Sequence, residues 1–355
     1  MASHDSVLLD RARGALLGLA IGDALGMPTQ SFSRPQIAER YGRITAPIGA
    51  SDDQPIAPGM DAGAVTDDTE QAVIVAELLI AGHGHVDAGA FAAALIAWEQ
   101  DMIVRGSHDL LGPSTKAALT ALQSGTSPEE SGRYGTTNGA AMRVAPVGVA
   151  SPLGPGLLES VVEVSRVTHN TGLGMSAAAA VAAAVSACLD RQDLDHALSA
   201  AVALAGEGER CGYWVAGASI PRRFLALRPA ARRLGEDEFP QYLYDVVGTS
   251  VQSQESVVSA LLIVDRYRDR PYDGLCCAAS LGGDTDTIAA IAGAILGAAH
   301  GAAAFPHDVA SLVESRNALA TEDLAERLLA LRAAAITGTT TTRTTTTRTT
   351  PSTQR

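Results

Sequence analysis

The sequence predicts an all-α protein. Three observations carry this: apolar residues recur at helical spacing in one segment after another, no convincing run of period-two strands occurs, and the composition favours close helix packing. Alanine and glycine dominate while aromatics make up 4% of the 355 residues, which suits helices in near contact rather than a bulky aromatic core. A chain this long buries a substantial core. The expectation is a single orthogonally packed helical domain over 1–336, followed by a threonine-rich tail over 337–355.

The first helix spans Val7–Leu19 through Leu8, Leu9, Ala12, Leu16 and Leu19. It runs into Ile21–Gln30, where Gly22, Gly26 and Pro28 are expected to break it. Asp23 sits there among apolar neighbours. It is either part of a site or a helix-end carboxylate bonding backbone amides. Residues 31–63 read as a long irregular loop. A helix then opens at Val65–Gly82, with Thr66 as N-cap and Asp67 and Asp68 in its first turn. Capping accounts for one such acid. It accounts poorly for two, whose side chains diverge by about 100°.

Asp87–Arg105 forms the next helix, through Phe91, Leu95, Trp98 and Met102. Pro113 starts another, and Asp109 lies in the loop before it. A polar loop follows over 124–139. Its end, Gly135, Thr136, Thr137, Asn138 and Gly139, can offer N–H groups and hydroxyls to an anion, or be a plain turn. Leu157–Thr168 is helical and ends at His169, ordinarily a structural residue there. Gly172, Gly174 and Ala177 match a dinucleotide fingerprint, but no strand precedes them, so that reading fails. Leu173–Leu189 approaches membrane-spanning length, yet its alanines and two serines favour a buried core helix. Further helices are expected over Leu194–Ala205, Arg222–Leu234, Glu255–Arg268 and Glu322–Ala335. The tail from Thr337 has nothing apolar to bury and is expected to be disordered.

The net charge is −13 and the pI near 5.0. Nucleic acid and anionic membranes are poor partners for such a chain. A cytoplasmic location suits it, since the N-terminus does not read as a signal peptide. Cys188, Cys211, Cys276 and Cys277 lack metal spacing and read as reduced thiols.

The chemistry concentrates in Leu281–Gly301. Asp284, Asp286 and Thr287 place three oxygen donors within four residues, behind Gly282 and Gly283, and a long apolar helix follows. Thr66, Asp67 and Asp68 form a second such cluster. If the two meet, four carboxylates share one small volume and cannot all stay ionised without cations. Oxygen-only donors select Mg²⁺, Mn²⁺ or Ca²⁺. EF-hand spacing is absent, and four acids suit two ions better than one.

GALLGLAIGDALG, VTDDTEQA, NGAAMRVAP, THNTG and AASLGGDTDTIAAIAGAILGA occur in this order. In this the chain resembles the ADP-ribosylglycohydrolase family, over roughly Arg11 to Arg332. The resemblance implies the all-α fold and a binuclear Mg²⁺ centre, with Mn²⁺ an alternative. It puts metal ligands on Thr66, Asp67, Asp68, Asp284, Asp286 and Thr287. It implies phosphate binding at Gly135, Thr136, Thr137, Asn138 and Gly139, with Met142 nearby. It sets His169 in the ligand cleft and Asp109, by a looser match, beside the ribose.

The implied reaction is hydrolysis of the N-glycosidic bond of an ADP-ribosylated protein side chain, with Asp68 or Asp109 taking a proton or steadying an oxocarbenium charge. Gln30 stands where many members carry glutamate, and an amide cannot act as a base. Ala140 replaces a common serine. Two other expectations remain open: hydrolysis of a small ribosyl or nucleoside-like N-glycoside, and a non-catalytic ADP-ribose binder. A solenoid with the acids as separate caps is the alternative fold.

Overall fold

A computed structural model describes residues 2–105, 111–191 and 193–345. Its helices are α1 Ala2–Gly26, α2 Arg34–Tyr41, α3 Asp67–Ala81, α4 Ala88–Val104, α5 Pro113–Gln123, α6 Pro128–Ser131, α7 Gly139–Met142, α8 Ala145–Ala150 and α9 Pro155–His169. They continue as α10 Gly172–Leu189, α11 Leu194–Gly208, α12 Ile220–Ala231, α13 Glu238–Tyr242, α14 Ser253–Arg266, α15 Pro271–Ala279, α16 Thr285–His300, α17 His307–Arg316 and α18 Thr321–Thr345. No strand forms among the described residues. Two isolated bridges occur, Thr137 with Gln252 and Thr171 with Tyr213. The all-α expectation holds.

α10 is the one described helix long and apolar enough to cross a membrane, and 94% of that stretch is buried inside the protein. It is a core helix, as its small residues suggested. The main apolar cluster extends from Ala12 on α1 to Leu328 on α18 and takes in most of α10 and α16. All four cysteines are free.

Helix α1 does not break at Gly22 but continues to Gly26. The reason is its partner, α16. A Cβ on Gly14 would lie 2.4 Å from the Gly297 carbonyl oxygen, one on Gly18 2.2 Å from that of Gly293, and one on Gly22 2.1 Å from that of Ala289. On Gly26 it would meet the Asp286 Cα at 2.4 Å. The numbers rise on one helix as they fall on the other, so the pair is antiparallel and backbone touches backbone. Glycine costs a helix about 1 kcal/mol against alanine, and here the close approach offsets that cost. The contact brings the end of α1 directly under the start of α16.

The segment expected to be irregular contains α2. Ser33 and Gln36 form a reciprocal capping box at its start, a pattern present in the sequence. At the other end of the chain, α18 continues to Thr345, into the stretch expected to be disordered. Residues 346–355 lie outside the described part.

Candidate active site

The start of α3 is held by Asp23. Its carboxylate accepts from the Thr66 N–H at 2.9 and 3.0 Å, the Thr66 hydroxyl at 2.8 Å, the Thr69 N–H at 3.1 Å and the Thr69 hydroxyl at 2.5 Å. This is the helix-end role, served from another helix. Burial pushes the Asp23 carboxyl up to about 6, even though these donors pull the other way. With Asp23 fixing the backbone at Thr66 and Thr69, the intervening Asp67 and Asp68 are aimed elsewhere.

The start of α16 is built by a tight turn. Gly282 and Gly283 have φ of +88° and +83°, where L side chains are strained. The Gly283 N–H donates to the Phe32 carbonyl at 2.9 Å, and the Ser31 N–H donates back to Gly283 at 2.7 Å. The Asp284 N–H donates to the Thr249 carbonyl at 2.7 Å. Two segments thus clamp the turn that delivers Asp284 and Asp286.

The two clusters meet. The Thr287 hydroxyl donates to Asp68 Oδ1 at 3.3 Å, although the residues are 219 positions apart. A cleft of about 390 Å³ is lined by Gln30, Asp67, Asp68, Asp284, Asp286 and Thr287, together with Asn138, Gly139, Met142 and Lys116. The separate-caps solenoid is thereby ruled out.

All four cleft carboxylates are pushed above the usual range, primarily by burial. Asp284 rises to about 6, held back by hydrogen bonds from Asn138 and Thr287. Asp67, Asp68 and Asp286 are raised well above the ordinary value by burial, with neighbouring acids adding repulsion. Asp68 Oδ2 and Asp286 Oδ1 are buried without any hydrogen-bond partner. Two orphaned carboxylate oxygens in an all-oxygen donor set fit hard divalent cations. Among the described residues, no three His, Cys, Asp or Glu side chains already converge as a finished metal site. The carboxylates line one cleft without closing on a point.

Other expected site residues are placed differently. Thr66 is fully buried, and its hydroxyl donates to Asp23 while accepting from the Asp68 N–H at 3.4 Å. It is not among the cleft-lining residues. The 135–139 loop is engaged by the protein over most of its length, and its Gly139 end reaches the cleft lining. The Thr136 and Thr137 N–H groups donate to Ser114 Oγ at 3.2 and 3.3 Å, and the Asn138 N–H donates to the Val251 carbonyl at 3.0 Å. Gly135 packs on α9, where a Cβ would lie 2.1 Å from the Thr168 carbonyl oxygen. The Asn138 side-chain amide donates to Asp284 and, at 2.9 Å, to Ser256, so it orients a carboxylate instead of waiting for a ligand.

His169 stands beneath this loop. It is fully buried, outside the cleft lining, with Nε2 3.0 Å from the Thr137 hydroxyl and Nδ1 2.7 Å from that of Thr168. Burial, then the charge of Arg143, holds its pKa well below the ordinary value, so it is a neutral prop beneath the loop. Asp109 lies outside the described residues.

Arg143 is the residue sequence reasoning missed. It is fully buried, and burial lowers its pKa to about 9. Its guanidinium donates to Gln71 Oε1 at 2.6 Å and to the Thr168 hydroxyl, and lies 4.9 Å from the Phe91 ring centroid. Gln71 in turn donates to Asp67 Oδ2 at 3.0 Å. A chain of polar contacts therefore runs from His169 through Thr168, Arg143 and Gln71 to a cleft carboxylate. The signal was an arginine set among AAM and VAPVGVA, since an unpaired charge has no reason to sit in such a run.

The comparisons with known proteins agree with this geometry. The ADP-ribosylglycohydrolase family matches residues 4–337. The chain is 31% identical to the uncharacterized protein YegU of Escherichia coli K12, over 82% of this chain and 88% of that one. It is 28% identical to the ADP-ribosylarginine hydrolase Tri1 of Pseudomonas putida GB-1, over 84% of this chain and 72% of that one. A solved structure described as an ADP-ribosylglycohydrolase-related protein complex superposes with a TM-score of 0.64 at 25% identity, covering 92% of this chain and 99% of that one. With its two acidic clusters joined in one cleft, the chain belongs to the ADP-ribosylglycohydrolase family and is a glycosidase-type hydrolase.

Proposed function

We propose that the protein hydrolyses the N-glycosidic bond joining ADP-ribose to a protein side chain, and that it does so with Mg²⁺ bound at the carboxylate cleft. The observation that carries this reading is the meeting of the two acidic clusters, with one oxygen of Asp68 and one of Asp286 buried and unpartnered. Asp67, Asp68, Asp284 and Asp286 would hold the cations, with the hydroxyl of Thr287 alongside. Bound there, divalent cations supply charge neutralisation and Lewis-acid activation of a water. The naming of Tri1 as an ADP-ribosylarginine hydrolase supports arginine as the linked side chain. The family resemblance supports a protein-borne substrate, and the net charge of −13 suits a cytoplasmic setting.

The chain's own residues divide the remaining work. Asp68, through a carboxylate oxygen not taken by a cation, can accept a proton from the attacking water or face the cationic anomeric carbon. Asn138 keeps Asp284 from rotating into solvent, and Gln71 does the same for Asp67. Gln30 lines the cleft with its side-chain Nε2 buried and unpartnered. It is a donor for a substrate oxygen and cannot be the base.

The test uses ADP-ribosyl-arginine as substrate. Asp286→Asn and Asp68→Asn should each lower turnover by roughly 10²–10⁴-fold, and EDTA should abolish turnover until Mg²⁺ is returned. Full activity in the EDTA-treated protein would overturn the metal assignment. Hydrolysis of adenosine or another simple nucleoside, with ADP-ribosyl-arginine left intact, would replace the proposed substrate with a small N-glycoside.

A further inference from the structure

Gln54 lies in the stretch between α2 and α3, outside any helix, yet it is 2% exposed. A buried amide is costly unless its donors and acceptor are used. Here both ends of it are. Its Nε2 donates to the carbonyls of Met27 and Gln30 at 3.3 and 2.9 Å. Its Oε1 accepts from the N–H groups of Ile56, at 2.5 Å, and Ala57. One side chain thus ties the segment that leaves α1 to a turn far along the chain. Gln30 and Ile56 both line the cleft, whereas Gln54 does not. Ala57 packs with Met27, Trp98 and Met102 in a small apolar cluster apart from the main core, which seats the turn.

The backbone at Gln30 is held from three directions. Its N–H donates to the Gly26 carbonyl at 3.1 Å, and its carbonyl accepts from Gln54. The next N–H, that of Ser31, donates to the Gly283 carbonyl at 2.7 Å. Gln30 has φ −57° and ψ 143°, and Ser31 follows at φ +63°, a value few residues with a side chain adopt. The peptide plane between them is gripped at its oxygen by Gln54 and at its N–H by the turn that carries Asp284. A fixed φ and ψ set the direction in which the side chain leaves the backbone. The Gln30 Nε2 is buried without a partner, so no bond of its own aims it.

We propose that Gln54 is a positioning residue of the cleft: by holding the Gln30 carbonyl it points the Gln30 amide at the substrate, touching neither substrate nor cation itself. This rests on the reading of Gln30 as a substrate donor given above and deepens it.

Calorimetry in Mg²⁺ buffer with ADP-ribose as probe tests this, on the full chain and on Gln54→Glu, Gln30→Ala and the two combined. Glutamate keeps the shape of Gln54 and can still accept from Ile56 and Ala57, but it sets a carboxylate oxygen where the Gln30 carbonyl needs a donor. Gln54→Glu should weaken ADP-ribose binding roughly tenfold, the scale of one hydrogen bond, and Gln30→Ala should do the same. The combined variant should bind no more weakly than Gln30→Ala, since nothing remains to be aimed. In turnover of ADP-ribosyl-arginine, Gln54→Glu should raise KM and leave kcat near its starting value. If the buried charge unfolds Gln54→Glu, Gln54→Met carries the same comparison. Equal ADP-ribose affinity in wild type and Gln54→Glu would overturn the assignment and leave the proposed reaction standing. A combined variant in which the two single losses multiply would also overturn it, because Gln54 would then act by a route other than Gln30. A wild-type protein that binds no ADP-ribose at all would overturn both readings together.

Discussion

At the scale of single residues, the cleft's donors were legible and their supports were not. Asp67, Asp68, Asp284 and Asp286 stood out because acids at the mouths of apolar helices have few structural explanations. Thr66 and His169 match the same motifs, yet the fold spends them on Asp23 and on the 135–139 loop. Sequence proximity to a motif does not say which way a side chain turns. Gln30 is the most informative position to change. Gln30→Glu adds a fifth carboxylate to the cleft where an unpartnered amide now sits. In the metal-free protein it should destabilise the fold by about 2 kcal/mol, the scale of an unpaired buried polar group. With Mg²⁺ present it should tighten cation binding, because a carboxylate is the better ligand. Calorimetric titration with Mg²⁺ decides: unchanged or weaker affinity means that residue 30 does not reach the cation. Asn138→Ala makes the complementary case. Asp284 loses the amide that orients it, so Mg²⁺ affinity should fall by roughly 10–100-fold, the usual cost of losing a partner that positions a ligand.

At the scale of elements, the long periodic helices were read correctly and the close contacts between them were not. Gly14, Gly18, Gly22 and Gly26 repeat every four residues, and so stand on one face of α1. Read as helix breakers, they suggested an end at Gly22. Read as a face without side chains, they announce a second helix at backbone contact, which is what α16 supplies. The short helices α7, α8 and α15 were missed because too few residues carry their periodicity. The glycine face yields a sharp expectation. In Gly22→Ala the new methyl would sit 2.1 Å from the Ala289 oxygen and 2.3 Å from its carbon, against backbone that cannot rotate away. Overpacking of this kind costs about 1–3 kcal/mol, and rigid neighbours favour the upper end. The denaturation midpoint should fall with an unchanged slope. Because α1 ends beneath Asp286, Mg²⁺ affinity should drop as well. Gly206→Ala is the control, since a Cβ there meets nothing within 4 Å.

At the scale of the whole molecule, two groups of carboxylates give stability opposite dependences on pH. Asp265 is buried beneath Arg228, Arg232 and Arg268, each at 2.7–3.0 Å from it. Burial pushes its pKa up, but the hydrogen bonds from these arginines outweigh that and leave it below the carboxylate range. Its contribution is present above the ordinary carboxyl pKa and is lost as pH falls below about 4. The cleft acids behave in the opposite sense. Asp23 and Asp284 are pushed up to about 6, and Asp67, Asp68 and Asp286 are raised well above the ordinary carboxyl value. The folded chain therefore binds more protons than the unfolded one above pH 4, and stability declines as pH rises from there. A shift from 3.8 to about 6 is worth about 3 kcal/mol per group. The metal-free protein should thus be most stable near pH 4–5 and lose several degrees of Tm by pH 8. Cations that bind the ionised carboxylates reverse that arm alone. Saturating Mg²⁺ should raise Tm strongly at pH 8 and hardly at pH 4.5, while leaving the acid side unchanged. Asp265→Asn should weaken the acid-side dependence and lower stability at neutral pH by about 2–3 kcal/mol, because it leaves the half-exposed Asp195 to face the three arginines. A Mg²⁺-induced rise in Tm that is the same at pH 4.5 and pH 8 would place the cation somewhere other than among these carboxylates.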